Sequence, residues 1–527
     1  MGVIRNIINA VTGNEKPKAI FNREQVGYVG QSWTFSYDGE KNLGEIGPAR
    51  NYLMNYPMLR VRSWQAYVES EVAQIVLNKW TTWVIGQGLK LRCEPAKLVL
   101  EQEGVSGFDS EKFNEFAEAR WELFASSKRS DIAEAVDLNR NAAIAHKSAI
   151  IGGDVLIVLR VKKGRIVIQQ IDGQNVCNPL AALSDNIVDG VEFDRSTGKV
   201  VAYHVKTGLT TYERIAAIEP KSGMKMAYMV YGSKLRIGSY RGMPLIGTVL
   251  ETLKKLERYK EATVGSAEEV AKVAYQAVHT AASTGENPLS GSLARAFNFE
   301  SNASASDLPI TDDGKYRNNV VAATNNKAFI NNPVGAELKI LENRNPLYFN
   351  DFYTVNIKLI CAAIGIPEEV AMSAYNSNFS ASHAARGDWS HALDVARGDF
   401  SMQYYQPIFD LWLHLQILTN KVNAPMYLTA MAQGNYEIIE AYQKTRWIGV
   451  SMPHIDPYKV VKAERAKLGA LGDVIPLTTI EAATEVVNGG NSDSNLAQFA
   501  EEVKEATRVG IKNPEVASPS SGQGTTG

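Results

Sequence analysis

Apolar and polar positions alternate along this chain in two rhythms. Between Met58 and Ile85, Trp64, Tyr67, Val68, Val72, Ile75 and Val76 recur at steps of three and four. That period predicts an amphipathic helix, stopped at Gly86 and Gly88. "GQGLKL" then opens a strand. Two more helical stretches are expected over about 110–126 and 132–151. The rhythm then shortens to two. "GDVLIVLRVKKGRIVIQQID" reads as a hairpin around Lys162-Lys163-Gly164, and "VDGVEFDRSTGKVVAYHVK" as a second around Ser196-Thr197-Gly198. "MKMAYMVY" adds a strand. Helices followed by paired strands imply an α+β block with an antiparallel sheet.

A helix is expected from Pro244 to about residue 280, since proline suits a first helical turn. Ile246, Val249, Leu250, Leu253 and Leu256 form its apolar stripe, and Lys254, Lys255, Arg258 and Lys260 fall largely off it. Ala262, Gly265, Ala267, Ala271, Ala274 and Ala277 give its second half a small-residue surface for close packing. Residues 281–347 lose the period and read as a small irregular or β-containing insert. A helix over 348–364 ends at Gly365-Ile366-Pro367, because the residue before a proline avoids helix. A polar stretch leads to Ser382, an N-cap candidate, and to a long helix reaching about Asn420. Another helix is expected from Pro457, and a short charged one over "DSNLAQFAEEVKEATRVG". The first 50 residues read as an extended arm, and the tail "NPEVASPSSGQGTTG" has the composition of a disordered linker.

Composition narrows the class. The 527 residues suit about three domains. The formal net charge of −2 argues against a chain-wide basic grip on nucleic acid. Cys93, Cys177 and Cys361 are few and far apart, which fits a reducing compartment without a disulfide framework. No signal peptide is expected, because Asn6 and Asn9 interrupt the first apolar run. Asn6 also stands where a myristoylation pattern needs Ser or Thr. No apolar run approaches the ~18 residues of a membrane span.

Candidate chemistry gathers in "GIPEEVAMSAYNSNFSASHAARGDW", residues 365–389. A hydrolase or nuclease could use Ser380, Ser382, His383 and Asp388. A nucleophilic serine needs a base within reach and a group to orient that base. Ser382 and His383, as helical neighbours, point in different directions, and no Gly-x-Ser-x-Gly elbow occurs. A helix-capping serine explains the same residues. His383 and His391 lie eight apart, not at the four-residue spacing of a zinc pair, and the other histidines are scattered. Gly86 and Gly88 follow a helix and precede a strand, the reverse of a dinucleotide loop. No catalytic residue, metal or cofactor is therefore expected.

Five segments, in order, resemble portal proteins of tailed bacteriophages, of the lambda-like family. They are "VAQIVLNKWTTWVIGQGLKL"; "IDGQNVCNP" with "VDGVEFDRSTGKVVAYHV"; "RIGSYRGMPLIGTVLETLKKLERYKEA"; "AAIGIPEEVAMSAYNSNFSASHAARGDW"; and "RWIGVSMPHIDPYKVVKA". The N-terminal arm and the insert match poorly. The resemblance implies a ring, dodecameric in the capsid, at the vertex through which DNA enters and leaves. It implies an N-terminal arm over 1–50, a wing over 51–242, a first stem helix over 243–280 and a clip over 281–347. A second stem helix (348–365), a tunnel loop (366–382), a long helix with a wing return (383–471), a crown (472–510) and a tail (511–527) follow. Ser373, Tyr375, Asn376, Ser377, Asn378, Phe379 and Ser380 would face the DNA channel. Lys254, Lys255, Arg258, Lys260 and Lys358 would lie on the stem wall. Implied partners are further copies of the chain, double-stranded DNA passing non-specifically, the major capsid protein, the terminase large subunit, a head–tail adaptor and a scaffold protein. The implied location is the virion, after assembly in the host cytoplasm. The competing readings are another head–tail connector or minor capsid protein, or the hydrolase above.

Overall fold

The computed structural model describes residues 56–179, 186–220, 222–234, 239–277, 323–324, 327–331, 349–374, 379–450, 457–468, 477–488, 490 and 492–509. Within the first helical stretch the chain forms two helices, α1 (Tyr56–Glu69) and α2 (Glu71–Val84). The break falls at Ser70, whose backbone is extended and whose side chain accepts the Ala73 N–H. A serine held this way starts a new helix even though the apolar period runs on through it. The Ser70 hydroxyl also donates to Glu257 at 2.9 Å, so the break is tied to a distant helix.

Strand β1 (Lys90–Cys93) and helices α3 (Lys97–Gln102), α4 (Ser110–Ala125) and α5 (Leu138–Gly152) follow. The third expected helix begins at Leu138 rather than 132, because the Asp137 carboxylate accepts the Arg140 N–H and caps it there. Strands β2 (Asp154–Lys162) and β3 (Arg165–Asp172) pair in one continuous register, Lys162 opposite Arg165. Their two-residue turn is Lys163-Gly164, with φ of 51° and 73°. Positive φ at both positions matches the right-handed twist of the flanking strands.

Strands β4 (Ile187–Val188), β5 (Val191–Phe193), β6 (Val200–Lys206) and β7 (Tyr212–Ala216) form a second sheet in sequential order, and β8 (Ala227–Tyr231) returns to pair with β2. Successive residues of a strand face opposite sides. Val155, Ile157 and Leu159 of β2 therefore enter the main core, while Leu156 and Val158 enter a smaller core against the second sheet.

Helix α6 (Leu250–Lys272) is shorter than expected. Residues Val273–Ala277 form strand β9, which pairs in parallel with β11 (Lys327–Asn331), itself antiparallel to β10 (Ala323–Thr324). Ala274 and Ala277 thus belong to a strand and not to a small-residue helix. Pairing with a distant strand overrides the helical preference of alanine there.

Helix α7 (Phe349–Ile364) ends at Gly365 as expected, with φ of 83°. The polar stretch after it is not all loop. It contains α8 (Glu368–Met372), and α9 (Phe379–Phe400) has already begun before Ser382, so Ser382 is not an N-cap. The long helix is confirmed in three pieces: α9, a π-helical turn (Ser401–Tyr405) and α10 (Gln406–Leu418). Short helices α11 (Tyr427–Gln433) and α12 (Tyr436–Gln443) lead to β12 (Thr445–Ile448), which pairs antiparallel with β1. Around that ribbon Trp121, Phe409, Trp412 and Trp447 form one aromatic cluster, each ring 5.3–5.6 Å from Trp121. Among the described residues α13 (Pro457–Lys467), α14 (Ile480–Asn488) and α15 (Ser492–Val509) follow, the last two within the expected helical crown.

Candidate functional site

The basic residues singled out on α6 and α7 do not converge. Lys254, Lys255 and Arg258 are exposed on α6. Lys255 pairs with Glu251 at 2.9 Å, Lys260 with Glu71 of α2 at 3.0 Å, and Lys358 of α7 with Glu368 of α8 at 3.1 Å. Three of the five cations are thus neutralised locally, each in a contact that ties neighbouring turns or helices together.

Ser373 ends α8 in the left-handed conformation (φ 54°, ψ 32°), and its hydroxyl oxygen accepts from Lys79 Nζ at 3.0 Å. Tyr375, Asn376, Ser377 and Asn378 lie outside the described residues. Phe379 and Ser380 open α9, and their side chains also lie outside them, as do those of Ser382 and His383. Asp388 is exposed on α9. Among the described residues no three His, Cys, Asp or Glu side chains gather as a metal site would require.

What the sequence reading missed is a buried ionic knot. Asp154, at the start of β2, is fully buried. Arg241 donates to both its carboxylate oxygens at 2.7 and 2.9 Å. The same guanidinium also reaches the carbonyls of Val176, Asp189 and Gly173 at 2.6–2.7 Å. From α1, Arg60 donates to the Asp154 carboxylate at 3.1 Å and to its carbonyl at 2.7 Å, and pairs with Asp172 at 3.2 Å. The Tyr56 hydroxyl also bonds Asp154, and its ring lies 4.1 Å beneath the Arg241 guanidinium. Gly242 gives its N–H to Asp154 at 2.9 Å. A Cβ on Gly242 would meet the Gly153 carbonyl, so the Arg-Gly pair of "SYRGMP" is required by close approach.

Burial alone would raise the Asp154 carboxyl, but the two guanidinium groups hold it below the usual carboxylate range. Two arginines facing Asp154 and the half-exposed Asp172 balance in charge. Such a knot has no proton to give and no free nucleophile. It locks α1, both sheets and the entry to α6 together.

Among the other buried groups that are shifted are an aspartate and a histidine. Burial pushes Asp410 of α10 up to about 7, against its bond from Gln406 and the pull of Lys225. Burial pushes His146 of α5 down to about 3, and its ring packs edge-on against Phe400 at 5.1 Å. They lie on different elements with different neighbours and form no acid–base pair.

The family description "Phage portal protein, lambda family" matches residues 41–396. The chain belongs to the lambda family of phage portal proteins. The matched span runs from before α1 into α9, and so contains the ionic knot, α6, α7 and Ser373. Two solved structures are similar at low identity. The neck of an empty GTA particle computed with C6 symmetry shares 11% identity at a TM-score of 0.39, covering 81% of this chain and 93% of that one. The neck of a native GTA particle computed with C12 symmetry shares 12% at 0.32, covering 78% and 98%. Likeness at that level carries no argument. No curated protein matches the chain. The fold is a mixed α+β portal-family fold, and no described helix is long and apolar enough to cross a membrane.

Proposed function

We propose that this portal-family chain is one subunit of a ring, dodecameric in the capsid, that forms the DNA channel at a single vertex. The observation that carries the reading is the family match over residues 41–396. DNA would enter during packaging and leave on ejection through the same ring. The terminase large subunit and later a head–tail adaptor would dock on the 281–347 clip, with the major capsid protein around the wing and a scaffold protein guiding assembly. Residues 373–380 would face the channel. Small and polar groups there would meet phosphates through weak, water-bridged contacts, whereas arginine clusters would hold DNA and slow its passage. The near-neutral net charge is in keeping with a conduit that does not grip.

The test is electron microscopy of the purified protein, viewed down the particle axis. Twelvefold rings with an open centre are expected, and compact monomers at every salt and concentration, with scaffold present, would count against the ring. Replacing Ser373, Asn376, Ser377 and Asn378 together by Arg should leave rings intact but lower the DNA packaged per particle. Unchanged packaging would remove the loop from the channel.

A further inference from the structure

The hairpin that joins β2 to β3 ends in three cations with nothing to neutralise them. Lys162, Lys163 and Arg165 are all exposed. None makes a side-chain hydrogen bond or ion pair with another described residue. Arg160 shares a strand face with Lys162, but it is already engaged by Gln169 at 2.8 Å and by Glu213 of β7 at 3.6 Å. Two features of this tip work against folding. Lys162 stands directly opposite Arg165 in the register, and like charges placed so destabilise a sheet. Lys163 holds a φ of 51° at the first position of the turn, where asparagine, aspartate or glycine fits best. The hairpin is secured instead by the buried residues Val155 to Leu159. Local choices that oppose the fold with no gain inside it gather at functional sites.

The shape of the tip narrows what it meets. Val161 is 44% exposed, while Ile166 opposite it is 2% exposed, so only the last turn of the ribbon stands clear. That is too short to lay a ribbon in a groove and reach base edges. Residues 162–165 carry no apolar or aromatic side chain, whereas protein–protein contacts favour aromatic residues and disfavour lysine. Long cationic stems without an apolar anchor suit phosphates. We propose that Lys162, Lys163 and Arg165 form a binding site for the phosphate backbone of double-stranded DNA, held without regard to base sequence. The site goes beyond the channel reading, because it lies on a different element from residues 373–380 and does not depend on a ring.

The experiment measures fluorescence anisotropy of a short labelled duplex of mixed sequence, titrated with the full chain between about 50 and 200 mM salt. The triple variant Lys162→Ser, Lys163→Gly, Arg165→Ser should bind more weakly. Its slope of log affinity against log salt should be shallower by about 3, since each neutralised phosphate contributes about 0.9. Lys163→Gly alone should lower the slope by about 1 while its urea midpoint holds or rises, because glycine adopts positive φ freely. Binding loss therefore cannot be ascribed to unfolding. A control triple, Lys421→Ser, Lys462→Ser, Arg465→Ser, removes three exposed cations from other elements and should leave the slope unchanged. No measurable binding by the parent chain would overturn the proposal, as would an unchanged slope in the tip variant or an equal fall in the control. Loss of poly-glutamate binding with DNA binding intact would assign the tip to an acidic protein segment and overturn it too. Rings in electron micrographs with an unchanged slope would leave the channel reading standing and defeat this one. A shallower slope in the tip variant of a chain that forms no rings would do the reverse.

Discussion

At the scale of single residues, the ionic knot carries the sharpest expectation. Breaking a buried pair by removing one partner strands the other charge, a cost of about 3–5 kcal/mol. Asp154→Asn should lower the unfolding free energy of the unassembled subunit by that amount in urea titrations. Arg241→Lys keeps the charge but cannot span two carboxylate oxygens and three carbonyls at once. It should cost about 3 kcal/mol or more, from two or more lost charge-assisted bonds at about 1.5 kcal/mol or more each. The knot shows why part of the fold was hidden in the sequence. Arg241 and Gly242 were legible as a family motif, but Asp154 and Arg60 come from distant parts of the chain, and no spacing announces them. The same holds for Ser373: its place among polar residues was legible, its partner Lys79 was not.

Two further residues should give the subunit an unusual pH profile. Asp410 is raised in the folded state, so its stabilising contribution is fully present below its ordinary value of 3.8 and lost as pH rises through about 7. His146 is depressed, so its contribution is present above 6.5 and lost as pH falls towards about 3. Between about pH 4 and 6.5 the two slopes oppose, each approaching about 1.4 kcal/mol per pH unit. Relative to the parent, Asp410→Asn should make urea midpoints fall more steeply on acidification in that window. His146→Phe should tilt the profile the other way. Parallel profiles in parent and variants would show that neither group titrates as described.

At the scale of elements, local rhythm placed most helices and strands, and it failed where distant contacts decide. The apolar period runs unbroken through Ser70, yet a cap and a bond to Glu257 split the helix. Alanines at 274 and 277 read as helix, yet strand β11 recruits them. Helix α14 falls in the stretch expected to be a helical crown, but the charges that help to hold it there come from distant strands. Arg446 of β12 pairs with Glu485 at 2.7 Å, Glu481 at 3.0 Å and Glu94 at 2.8 Å, and Arg92 of β1 joins Glu481 at 2.9 Å. This small network clamps α14 onto the β1–β12 ribbon, and its partial exposure leaves it open to screening. Arg446→Ala, or raising salt towards 1 M, should speed hydrogen exchange over 480–488 several-fold while exchange in β2 stays slow.

At the scale of the whole molecule, α7 is apolar on two sides. Ile357, Ile360, Cys361 and Ile364 face the core, while Phe352, Val355 and Leu359 are 40%, 54% and 59% exposed. In the proposed ring a neighbouring subunit would cover that second stripe. Val355→Glu with Leu359→Glu should then abolish rings in electron micrographs and in sedimentation, while the urea midpoint of the unassembled subunit barely moves. Rings that persist would place the subunit contact elsewhere.

The β1–β12 ribbon has a further consequence, for synthesis. Strand β1 waits, unpaired, until Ile448 opposite Lys90 has been made. At about 5–20 residues per second that delay is on the order of tens of seconds. During it, a ribosome-bound chain exposes a bare strand edge and part of an aromatic cluster whose remaining rings, Phe409, Trp412 and Trp447, come late. Chains truncated before Thr445 should therefore aggregate on release, whereas chains ending just past Ile448 should stay in solution.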